Sequence, residues 1–178
     1  MVTKLEQIVP AKPMSGEWKK FNDARPYSVV SGFAFDKNGN FPILFRGPSV
    51  RSARNSWALP SGLAEVGFTM AEQFAIELKE ELNLDADPTT CEHLGCYENI
   101  LTGMDEGWHW KIDLLAIRVE SLGSLRNAEP EKHTKVEICS SDLLQPWNLD
   151  LFLAKPWAPS LAVNLGKVAD RARTYLRY

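Results

Sequence analysis

Along RPYSVVSGFAF, from Arg25, the chain is aromatic and β-branched; it then breaks at DKNGN and resumes as FPILFR. Two such runs around an Asn-Gly turn read as strands joined in a hairpin. GPSVRSARNS is a polar loop, and WALPSG returns the chain towards the core. From Thr69 the spacing changes: Ala71, Phe74, Ala75, Leu78 and Leu82 recur at helical intervals and predict one buried stripe on a helix to about Leu82. Thr69 with Glu72 three residues on forms a capping box at its start. CYENIL and WHWKIDLLAIRVE read as strands around the turn TGMDEG, HTKVEIC as another, and SSDLL has serines able to cap a short helix. PSLAVNLGKVADRARTYLRY carries Leu161, Leu165, Val168, Ala172 and Leu176 along one side, which predicts a terminal helix. Strands interleaved with helices imply a layered α/β domain. The organisation expected is an extension at residues 1–25, a domain at 26–157, and a C-terminal helix packed on it at 158–178.

Composition narrows the classes of function. A chain of 178 residues with 44% apolar residues suits one globular domain with a real core. The net charge of −3, with Lys and Arg scattered, gives no stripe for stable nucleic-acid binding and no polybasic membrane anchor. MVTKLEQIVP lacks an apolar segment long enough for a signal peptide, and no later run is long enough to span a bilayer, so a cytoplasmic location is expected. Cys91, Cys96 and Cys139 form an odd set without a CxxC pair, which reads as reduced, buried thiols. Cys91, His93 and Cys96 lack the second ligand pair of a structural zinc site.

The candidate chemistry lies in GLAEVGFTMAEQFAIELKEELNL, residues 62–84. On the expected helix Glu77, Glu80 and Glu81 share one face, beside the apolar stripe. Like charges so close destabilise an isolated helix by a few tenths of a kcal/mol. A solvated acidic face is the bland account. The nearby apolar stripe, the preceding Pro-Ser-Gly turn and Glu65 in the connecting loop favour an oxygen-rich site for Mg²⁺ or Mn²⁺ instead.

This stretch resembles the Nudix box, G-x5-E-x7-R-E-U-x-E-E-x-G-U, where U is a bulky aliphatic residue. Gly62, Glu77, Leu78, Glu80, Glu81 and Leu84 match it in register, and WALPSG resembles the approach W-x-x-P-G-G. Phe68, Ile76 and Asn83 depart from it, standing for a glutamate, an arginine and a glycine. Asn83 is a mild change, because Asn tolerates the left-handed backbone that ends a helix. Ile76 cannot make the charge-assisted hydrogen bonds by which the family's arginine braces its glutamates. NAEPEKHTKVEICSSDLL is similar to the N-x-EPEK-x-x-x-W-E-W-x5-L segment of the MutT-related branch, with Ile138 in place of a tryptophan.

The resemblance implies a Nudix-type α/β/α sandwich with a mixed β-sheet and a divalent-metal-dependent hydrolase. Its substrate would be a nucleoside diphosphate linked to another group, most simply a (d)NTP cleaved to NMP and pyrophosphate. A nucleotide sugar or dinucleoside polyphosphate as substrate, or a Nudix-like module that binds a nucleotide without turnover, are the alternatives. Glu77, Glu80 and Glu81 are the implied catalytic residues, Glu77 as ligand or as base. With Gly62 and Glu131 they make the metal set, and Glu129 is the second choice for that last glutamate. Arg46 is the candidate phosphate contact. Phe33, Trp108, His109 and Trp110 are candidates around the base, although core packing explains each aromatic equally well. The terminal helix leaves a homodimer open.

Overall fold

The structure, a computed structural model, describes residues 27–50, 52–65, 67–100 and 109–177. The expected extension at 1–25, the turn TGMDEG and Trp108 lie outside them. Strand β1 (Tyr27–Phe35) is buried along most of its length, and both its edges are paired. It runs antiparallel to β4 (Ser61–Leu63) and, over nine residue pairs, parallel to β6 (His109–Arg118). With β5 (Glu92–Ile100) on the far edge of β6 this makes a mixed sheet of order β4-β1-β6-β5. A second, antiparallel sheet has the order β3-β2-β7, from Trp57–Ala58, Asn40–Arg46 and His133–Ser140.

The hairpin expected between β1 and β2 is not there. Its turn forms: Gly39, at φ +77, donates its N–H to the Asp36 carbonyl at 3.0 Å. The two strands leave that turn into different sheets, because β4 and β6 occupy both edges of β1. They meet through side chains instead. Phe33 and Phe35 pack edge-to-face on Phe41, with ring centroids 5.1 and 5.5 Å away.

The twofold alternation of strand side chains sorts the core into two layers. Val30, Ala34, Leu115 and Ile117 face the helix α1 (Met70–Leu82) and its Phe74, Leu78 and Leu82. Phe33, Phe35, Leu114 and Ala116 face the opposite way. There they meet Phe152 of α2 (Leu149–Leu153) and, beyond α3 (Pro159–Ala162), Val168 and Ala172 of α4 (Leu165–Leu176). Helices therefore flank the sheets on both sides, an α/β/α arrangement.

Helix α1 has the boundaries its sequence predicts. Thr69 accepts the Glu72 N–H at 3.2 Å, and the Glu72 carboxylate accepts the Thr69 N–H at 2.7 Å. Asn83 closes the helix at φ 56, ψ 32, the left-handed conformation expected of it, and Leu84 N–H reaches the Leu78 carbonyl at 3.1 Å. The terminal segment differs from the single helix expected: it divides into α3 and α4 at Val163 and Asn164. The apolar side of α4 is buried on its own domain. Ser140 caps the short 3-10 turn Ser141–Leu144, accepting the Asp142 N–H at 3.2 Å.

The cysteines correct one expectation: Cys139 is buried and Cys91 half-buried, but Cys96 is exposed. His93 is paired with Asp113, Nε2 to Oδ1 2.9 Å, rather than grouped with the thiols. Among the described residues no helix is long and apolar enough to cross a membrane.

Candidate metal and substrate site

Strand β4 lays the backbone of Gly62 against the acidic side of α1. A Cβ on Gly62 would stand 1.8 Å from the Glu77 carboxyl carbon, so only glycine leaves room for that carboxylate beside the strand. One helical turn before it, Gln73 is 3% exposed and donates from Nε2 to Glu77 Oε1 at 2.8 Å. Gln73 thus holds Glu77 where Ile76 offers no donor. Burial pushes the Glu77 carboxyl up to about 7 against that hydrogen bond, and the charges of Glu80 and Glu129 add to the rise.

Glu81 is buried deeper, at 4% exposure, and accepts the Ser61 N–H on Oε2 at 3.0 Å. Burial, reinforced by the charge on Glu77, pushes it up to about 8, with the Ser61 hydrogen bond and Arg46 opposing. Glu80, one position back, is exposed and faces the cavity.

Backbone bonds bring a distant segment to the same place. Arg126 and Ala128 donate their N–H groups to the Leu82 and Glu81 carbonyls, at 3.1 and 3.0 Å. The last carbonyls of α1, which have no partner inside the helix, thereby anchor the loop leading to Glu129. The Glu129 carbonyl then accepts the N–H groups of Lys132 and His133, each at 2.9 Å, and this turn returns the chain into β7. As a result Glu81, Glu129 and His133 each offer a ligand atom within 4.8 Å of the other two.

Lys132 Nζ stands 2.5 Å from Glu129 Oε1, whereas Glu129 Oε2 is buried with no hydrogen-bond partner among the described residues. His133 is 1% exposed, with Nε2 3.7 Å from Glu81 Oε1. Burial, then the positive charges of Arg46 and Lys132, holds its pKa down at about 4, so the ring is neutral at pH 7.

Glu65, Glu77, Glu80 and Glu81 line a cavity of about 770 Å³. Arg46 and Lys132 bring positive charge to it, and Tyr97, Trp110 and Ile112 line an apolar side. Phe68 and Ile76 line it too, apolar where the resembled box carries charge. The Arg46 guanidinium is steadied by its Nε–H to the Ser52 carbonyl at 3.2 Å.

Two sequence expectations need correction. Phe33 is fully buried, stacked on Phe35 at 5.3 Å between centroids, and cannot reach a base. Glu131 is exposed and outside the ligand group, its carbonyl accepting the Ser49 hydroxyl at 2.6 Å; the second choice, Glu129, is the glutamate brought to Glu81. His109 begins β6, but its side chain, like all of Trp108, lies outside the described residues. Gln73, Lys132 and His133 escaped the sequence reading. The spacing of Gln73 and Glu77, four apart on a helix, is a signal that could have found the first.

A donor set of carboxylates with one imidazole, two of its members holding buried atoms without partners among the described residues, suits a divalent cation. The raised carboxyls agree with it: an ion would supply the positive charge their burial lacks.

The sequence matches no protein-family model and no curated protein. The fold does match solved structures. A MutT NUDIX hydrolase from Burkholderia pseudomallei superposes with a TM-score of 0.60 at 19% identity, over 81% of this chain and 98% of that one. DR0079 from Deinococcus radiodurans gives 0.58 at 17% identity over 96% of both chains. A bifunctional NMN adenylyltransferase/ADP ribose pyrophosphatase from Francisella tularensis, solved with AMP and a manganese ion, gives 0.54 at 16% identity, over 81% of this chain and 42% of that one.

Proposed function

We propose that this chain, which has the fold of the Nudix hydrolases, cleaves the phosphoanhydride of a nucleoside diphosphate linked to another group, with a (d)NTP as the first substrate to try. The observation that carries this reading is that Glu77, Glu80 and Glu81 all line a cavity that Arg46, Lys132 and Trp110 also line, with Glu81 brought within 4.8 Å of Glu129. Glu77, Glu80, Glu81 and Glu129 are the proposed holders of Mg²⁺ or Mn²⁺, with the Gly62 carbonyl as a further ligand. Such an ion, when bound, withdraws charge from phosphorus and acidifies a coordinated water towards neutral pH.

The chain's own residues supply the rest. Gln73 fixes one oxygen of Glu77 and leaves the other to hold the ion or to take the proton of the attacking water. Water oxygen bonds to phosphorus as the bond to the bridging oxygen breaks, so a (d)NTP yields NMP and pyrophosphate. Arg46 and Lys132 balance the phosphate charge, and stacking on Trp110 contributes roughly 1–3 kcal/mol to holding a base.

A panel of NTPs, dNTPs, nucleotide sugars and dinucleoside polyphosphates, with Mg²⁺, Mn²⁺ or EDTA, tests the proposal beside Glu80→Gln and Glu81→Gln. Turnover that needs the ion and is lost in both variants is the expected result. Tight nucleotide binding without turnover at any ion would make the chain a binding module instead, the reading that Phe68 and Ile76 favour.

A further inference from the structure

We infer that His133 is a nitrogen ligand of this cation site, so that the site discriminates in favour of Mn²⁺, Co²⁺ and Zn²⁺ over Mg²⁺. The inference rests on the metal-dependent reading above and adds to it a residue and a metal preference.

His133 is the first residue of β7 and pairs with Arg46 at a register irregularity, where Phe45 opposes Lys135 and the next step skips Thr134. Such bulges re-aim side chains next to sites. Here the ring ends up enclosed beside Glu81. A buried imidazole ordinarily finds a partner for each nitrogen. This one does not: Nδ1 is buried with none among the described residues, while Nε2 stands 3.7 Å from Glu81 Oε1.

The buried Glu129 Oε2 is likewise without a partner among the described residues, and the three ligand atoms stand within 4.8 Å of one another. Around an octahedral ion with bonds of about 2.1 Å, ligands are ~3 Å apart when adjacent and ~4.2 Å when opposite; the 3.7 Å between His133 Nε2 and Glu81 Oε1 already lies between those values. Glu81 and Glu129 supply hard oxygens; an imidazole adds a softer donor, which strengthens binding along the series from Mn²⁺ to Zn²⁺ far more than it does for Mg²⁺.

The test uses the full, untagged chain and the metal alone. Loaded with Mn²⁺, the wild-type protein should show nitrogen coupling in pulsed EPR that changes when its histidines carry ¹⁵N. His133→Asn should abolish the coupling and weaken Co²⁺ binding by about tenfold or more in calorimetry, with Mg²⁺ binding little changed. If that variant does not fold in EDTA, retention of the coupling in both His93→Asn and His109→Asn assigns it by elimination among the three histidines.

No histidine coupling in the Mn²⁺-loaded wild type, or coupling that survives His133→Asn, overturns the inference. Mg²⁺-dependent hydrolysis alongside that negative result would leave the hydrolase reading standing. Coupling without hydrolysis of any nucleotide would support the ligand and sink the hydrolase.

Discussion

Replacing Glu81 by Gln keeps the side chain's size and its acceptor for the Ser61 N–H, and removes its ability to ionise. In the cation-free protein the Glu81 carboxyl is pushed from the ordinary 4.5 up to about 8, chiefly by burial. Between those values the native state keeps a proton that the unfolded chain has released. The Glu81 contribution to stability therefore falls as pH rises through this window and levels off above about 8. At 1.36 kcal/mol per pH unit the ceiling on the loss is about 5 kcal/mol, comparable with the whole stability of many domains. With its side chain 5% exposed, Glu81 receives little relief from solvent.

The variant escapes this loss, so its advantage over wild type should grow from near zero at about pH 5 to ~2–5 kcal/mol at about pH 8. Urea unfolding in EDTA across that range measures it. Mn²⁺ added at the upper end should restore wild-type stability much more than the variant's. An advantage that is the same at both ends of the range, or one that shrinks as pH rises, would falsify the claim that Glu81 is a buried acid awaiting a cation.

Two further substitutions probe how Glu77 is placed. Gly62→Ala puts a methyl where the Glu77 carboxylate lies, and the flexible carboxylate must yield before the strand does. We expect a melting temperature close to wild type and hydrolysis slowed by roughly a hundredfold, measured on the same preparation; full activity would mean that Glu77 is not needed beside β4. Gln73→Leu removes the donor to Glu77 and should lower kcat by about ten- to a hundredfold, the worth of a hydrogen bond to a charged group. Adding Ile76→Arg should recover part of that rate while raising the wild-type rate little; a large gain in wild type would show that Gln73 is no substitute for the brace.

What the sequence disclosed was chemistry that is local along the chain. The cap of α1, its apolar stripe, its closure at Asn83 and the acidic face all depend on residues within one or two turns. Strand pairing was not of that kind. DKNGN is a good turn, but whether β2 pairs with β1 depends on β6, some seventy residues away, which takes the competing edge. The choice between Glu129 and Glu131 was equally hidden, because it is set by two N–H groups converging on the Glu129 carbonyl. Phe33 as a base platform failed for a related reason: an aromatic in a strand gives no sign of whether a second sheet covers it.

The loop that carries Glu129 and leads into β7 at His133 is moored to α1 by the main chains of Arg126 and Ala128. Such a mooring needs no particular side chain at either position; proline, with no N–H to give, is the residue it forbids outright. The two halves of the site can therefore stay in alignment while the letters around them drift. That is one physical route by which a chain can keep a recognisable course through space at 19% identity to a neighbour, after its sequence has ceased to match any family model.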